Sequence, residues 1–193
     1  MAHIALPDAP GIIGPMMAFP EAAQVLNALA EFILRGPSPL TPAERELIAA
    51  VVSGGNRTTF CENSHAATAR ALFTTNQDLV DVALRDPQHP RLDARLRALL
   101  TIAEKVRQGG RRVTAADVSD ARAAGANDQA IHDTVLITAA FCMFNRYVDG
   151  LATSIPEDRE TYAAIGRRLA TSGYVRAIVD GPLPMHPLVN PVA

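Results

Sequence analysis

The segment Asn56-Arg57-Thr58-Thr59-Phe60-Cys61-Glu62-Asn63-Ser64-His65 reads as the start of a helix that carries a thiol and an imidazole. Thr59 and Glu62 have capping-box spacing, with Thr59 as N-cap and Glu62 at N3. Cys61 then falls in the first turn, near the positive end of the helix dipole. His65 lies four residues on, hence on the same face. A nearby imidazole and a helix N-terminus both favour thiolate, the reactive form of cysteine. The pair therefore predicts a thiol that reacts faster than the chain's other cysteine. A small apolar cysteine beside a surface histidine has the same spacing, and the pair alone leaves both readings open.

Upstream, Thr41-Pro42-Ala43-Glu44-Arg45-Glu46-Leu47-Ile48 opens another helix, with Thr41 as N-cap and Glu44 completing its box. Downstream lies Phe141-Cys142-Met143-Phe144-Asn145-Arg146-Tyr147-Val148-Asp149-Gly150-Leu151. From about residue 37 to 151 the chain resembles the alkylhydroperoxidase D/carboxymuconolactone decarboxylase family, in its peroxidase-related branch. Redox-active members carry a glutamate, a Cys-x-x-Cys pair and a histidine four residues past the second cysteine. On that pattern Glu46 takes the glutamate position, Cys61 the second cysteine and His65 the histidine. Thr58 stands where the first cysteine belongs.

The resemblance implies an all-α fold, assembly as a dimer, trimer or hexamer, and a proton relay from His65 and Glu46 to the cysteine. The implied activity is reduction of a small hydroperoxide at Cys61. Thr58 cannot bridge to Cys61, so an oxidised Cys61 needs a second thiol. An external thiol or Cys142 could supply it. Two rivals stay open: acid–base chemistry at His65 and Glu46 without redox, as in the family's non-redox branches, and a non-catalytic redox sensor or binding protein.

The remaining sequence bounds these readings. The 193 residues fit a single domain, and 48% apolar with 20% charged residues is ordinary globular composition. A net charge of -2 gives no case for nucleic acid or an anionic membrane. Two cysteines exclude a disulfide framework and a four-cysteine zinc site. No histidine pair has metal-ligand spacing and no Gly-rich phosphate loop follows a strand, so neither metal nor cofactor is expected. With no signal-like leader or spanning run, a cytoplasmic protein is the default expectation.

Helical periodicity and breakers predict seven or eight helices and no strand. Residues 1–15 read as an extended arm, and about 181–193 as a Pro-rich tail. Cys142, in the most apolar helix, reads as a small buried hydrophobe. Asn145, Arg146 and Asp149 on that helix need polar partners, which suggests a structural network. His89 and His132 read as surface residues.

Overall fold

The computed structural model describes residues 1–175, all helix and connection. The helices are α1 (Ile13–Ala18), α2 (Pro20–Arg35), α3 (Pro42–Gly55), α4 (Thr59–Leu72), α5 (Leu79–Arg85), α6 (Ala94–Gln108), α7 (Ala115–Ala123), α8 (Asp128–Gly150) and α9 (Arg159–Ser172), with a 3-10 turn at Gly110–Arg112. The described residues thus hold nine α-helices against the seven or eight expected. The Pro-rich tail lies outside them.

The extra helix is α1, which begins inside the predicted arm. Gly11 adopts φ +55°, a conformation side chains rarely take, and there the backbone meets the Phe60 ring: a Cβ on Gly11 would sit 2.1 Å from Phe60 Cδ1. The preceding residues are anchored, with His3 N donating to Leu151 O and Gly11 N to Ser154 O, both at 2.9 Å. The breakers that mark residues 1–15 as an extended arm instead fold it back onto the end of α8.

Helix α3 organises the molecule. It starts as its residues dictate: Thr41 accepts from the Glu44 amide, Glu44 reaches back to Thr41, and Pro42 fills the first turn. Every residue from Ala43 to Ser53 is buried, so α3 is a central strut rather than a one-sided surface helix. It packs against α2, α4, α5, α6 and α8. Leu47, Ile48, Val52, Leu99, Leu100, Ile102, Ile137 and Phe141 form the centre of the core. Its buried Glu44, Arg45 and Glu46 demand partners. Arg95 pairs with Glu44, and Arg45 Nη1 donates to the Gly36 carbonyl at 2.8 Å.

Helix α4 lies between α3 and α9. Gly166 makes the second approach possible, since a Cβ there would stand 2.6 Å from the Ala67 carbonyl carbon. The face of α4 bearing Cys61, Ser64 and His65 is thereby enclosed by neighbouring helices.

Candidate active site

Helix α4 begins one residue earlier than the capping-box reading places it. Its N-cap is Thr58, with no side-chain cap. The Thr58 hydroxyl instead donates to Asp149 Oδ2 on α8 at 2.5 Å. Two adjacent threonines both have cap chemistry, and a tertiary partner claims one of them. Cys61 still falls at N3, in the first turn.

Burial decides the character of Cys61. The residue is 3% exposed, packed with Phe60, Val148 and Tyr162. This burial pushes the thiol up to about 12; a hydrogen bond with Asn145 works against the rise and the Asp149 charge adds to it. At neutral pH the resting form is therefore the thiol. The expected resting thiolate is corrected on this ground: the helix terminus favours it, but loss of water costs more.

His65 does not share its proton directly with Cys61 through any hydrogen bond among the described residues. Its Nδ1 bonds Glu46 Oε2 at 2.7 Å, deep in the core. A carboxylate only accepts, so the proton belongs on Nδ1, leaving Nε2 to act on anything bound beside the ring. Glu46 is 0% exposed. Arg35 Nη2 pairs with its Oε1 at 2.7 Å, and the Tyr174 hydroxyl donates to the same oxygen at 2.6 Å. Burial opposes charge on Glu46, but His65, Arg35 and the Tyr174 hydroxyl outweigh it and hold the carboxyl below its usual value. Burial, then the Glu46 charge, holds the Tyr174 phenol well above its usual range, so it stays a donor. The Tyr174 ring stacks on the imidazole at 6.2 Å, and the Phe141 ring meets it edge-on at 4.6 Å.

Cys61, Ser64 and His65 line a cavity of about 110 Å³, walled mainly by apolar side chains such as Ile12, Phe60, Phe141, Phe144 and Ile165. The sequence pointed to Cys61, His65 and Glu46, and the fold brings these three together. Thr58 lies outside the lining, one turn back on the α8 side. Arg35 and Tyr174 were missed. No spacing marks them: Tyr174 follows His65 by 109 positions.

The polar residues of α8 form the expected network, with different pairings. Asn56 Nδ2 donates to Asn145 Oδ1 at 2.8 Å, and Asn145 Nδ2 to Ser53 Oγ at 3.1 Å. Arg146 donates to its own helix at Cys142 O, away from Asp149. Cys142 is half-buried, more open than the sequence suggested. Its sulfur accepts from Asn56 at 3.6 Å. His132 is exposed and pairs with Asp133.

The reactivity expectation therefore reverses. Cys142 should be alkylated before Cys61 in the folded protein at neutral pH, and labelling of Cys61 should accelerate as pH approaches 12. Timed iodoacetamide labelling read by mass spectrometry checks this. Faster labelling of Cys61 would show that the burial argument is wrong.

Residues 20–86 match the carboxymuconolactone decarboxylase family. The matched stretch carries Arg35, Glu46, Thr58, Cys61, Ser64 and His65. The resemblance read from the motif therefore holds. The fold is AhpD-like. A peroxidase-related protein from Silicibacter sp. TM1040 superimposes with a TM-score of 0.72 at 28% identity, over 82% of this chain and 81% of that one. A peroxidase-related protein with an alkylhydroperoxidase AhpD core, from Ralstonia eutropha JMP134, gives 0.72 at 24% identity over 82% of each. An Agrobacterium tumefaciens protein of unknown function gives 0.64 at 21%, over 77% of this chain and 99% of that one. No protein of curated function matches. Among the described residues no group of three or more His, Cys, Asp or Glu side chains could hold a metal ion, and no helix is long and apolar enough to cross a membrane.

Proposed function

We propose that this protein reduces a small hydroperoxide at Cys61 and is returned to its resting state by an external thiol. One observation carries the reading: Cys61 and His65 wall the same small cavity, and Glu46 holds the imidazole through Nδ1. A nucleophile, a base and a third group orienting the base are the parts of an activated nucleophile. The cavity's apolar walls suit the carbon body of an organic hydroperoxide.

Because the resting thiol is protonated, its proton leaves only as the peroxide reacts. The sulfur attacks the terminal oxygen of ROOH and the O–O bond breaks. His65 Nε2 takes the thiol proton and returns it to the departing alkoxide. The products are ROH and a Cys61 sulfenic acid. A first external thiol condenses with that acid, releasing water and forming a mixed disulfide. A second external thiol releases Cys61 as thiol and leaves with the first as a disulfide. The cycle asks nothing of Cys142, whose sulfur accepts from Asn56.

Acid–base chemistry by His65 and Glu46 alone is the second reading, favoured by the high value of the Cys61 thiol. Exposure to tert-butyl hydroperoxide separates the two. The peroxidase reading expects one oxygen atom on the Cys61 peptide, trapped by a sulfenic-acid reagent, and peroxide consumption that stops when the external thiol is withheld. Protein that consumes no hydroperoxide and stays unmodified at Cys61 overturns it. Self-association belongs to the same proposal, supported by Met17, Val25 and Phe32, which α1 and α2 leave largely exposed.

A further inference from the structure

Ser64 is 3% exposed, and its hydroxyl has no hydrogen-bond partner among the described residues. Other buried hydroxyls of this chain solve that problem locally. Thr68 bonds Ser64 O, Thr134 bonds Ala130 O and Thr138 bonds Thr134 O, each to the carbonyl four residues back on its own helix. Ser53 Oγ accepts from Asn145. The two other buried atoms without partners are the Nε atoms of Arg35 and Arg45, whose Nη nitrogens are bonded. Ser64 is thus the one buried hydroxyl among the described residues with nothing to bond.

Its position gives the orphan a use. Ser64 lines the cavity three residues after Cys61 and next to His65, so all three share one face of α4. An unpaired buried hydroxyl loses its bond to water and gains nothing in return, whereas alanine would fit with no such cost. A polar ligand atom entering the cavity would recover the missing bond.

We propose that the Ser64 hydroxyl binds the oxygen-bearing end of the cavity's ligand. That ligand carries one polar oxygen on an apolar body about the size of a single six-membered ring, given that a cavity of about 150 Å³ admits benzene. The inference deepens the peroxidase reading and rests on it for the ligand's chemistry. There the bound atom is the inner oxygen of a short alkyl or monocyclic hydroperoxide, which Ser64 holds while the outer oxygen faces Cys61.

Phenol and toluene test the bond without redox chemistry, being alike in shape and different in one hydroxyl. Their affinities for wild type and Ser64→Ala are measured by NMR titration, beside the melting temperature of each protein without ligand. The expected result is a phenol-to-toluene affinity ratio about tenfold lower in Ser64→Ala, with a melting temperature no lower than wild type. An unchanged ratio overturns the inference, as does failure of both probes to bind wild type. A melting temperature several degrees lower also overturns it, because the hydroxyl then has a partner inside the protein. If the ratio shifts but hydroperoxide leaves Cys61 unmodified, Ser64 keeps its role and the peroxidase reading falls. If Cys61 oxidises with an unchanged ratio, only the Ser64 inference falls.

Discussion

Glu46→Ala should cost about 3–5 kcal/mol of folding stability, the usual effect of removing one partner from a buried ion pair. For a domain with about 5–15 kcal/mol in total, that is a large fraction. The carboxylate is 0% exposed and serves three groups at once: Arg35, His65 and Tyr174. Removing it takes the shared acceptor from a cation, an N–H and a phenol that are largely buried. Glu46→Gln should cost less, because the amide keeps its shape and one acceptor, and Arg35 retains Leu34 O and Leu169 O. Urea unfolding measures both, and a cost below about 1 kcal/mol for the alanine variant would contradict a buried network. The same carboxyl sets an acid limit. Its folded value lies below the unfolded one, so its contribution is complete above the ordinary carboxylate range and is lost as pH falls through the folded value. Wild type should therefore lose stability below that range. Glu46→Gln should lose less there, and the comparison isolates this residue from the other carboxylates.

The contrast between Glu46 and Cys61 shows what a sequence can disclose. Caps and breakers are local, and they were legible: Thr41 with Glu44 and Thr114 with Asp117 both form the boxes their spacing announces. Helix type followed from apolar periodicity, since no competing strand pattern exists. The triad of Glu46, Cys61 and His65 was legible through the family motif. Its electrostatics were not, because they depend on what surrounds α4. Position in the first turn argued for a low thiol value, and enclosure by Phe60, Val148 and Tyr162 reverses the sign. Thr58 shows the same limit. Its hydroxyl could serve the helix end or a distant acid, and only the arrival of Asp149 from α8 decides. Arg35 and Tyr174 carry no spacing relation to the motif, so tertiary structure alone reveals them.

Thr58→Cys should convert the Cys61 site from one thiol to a pair that can bridge. The new thiol stands at the N-cap of α4 and Cys61 at N3. Residues three apart on a regular helix hold their Cβ atoms about 5–6 Å apart, whereas a disulfide needs about 3.5–4.5 Å. The N-cap relieves the mismatch: Thr58 has φ -94° and ψ 85°, outside the helical region, so its side chain is not bound to the helical spacing. The loss of the Thr58–Asp149 hydrogen bond is affordable because Asp149 is exposed and water can take its place. After peroxide attack at Cys61 the introduced thiol condenses with the sulfenic acid, releasing water and closing the bridge. Oxidised variant should weigh two hydrogen atoms less than reduced variant. Its turnover with dithiothreitol should rise clearly above wild type, while Thr58→Ser stays at the wild-type level. Asp149 holds back the gain, since its charge already raises the Cys61 thiol and would act on the new one too. Adding Asp149→Asn should therefore increase the rate again. A variant that folds, fails to bridge and gains no turnover would mean that the cavity has left thiol chemistry, and would move the case to acid–base work by His65 and Glu46.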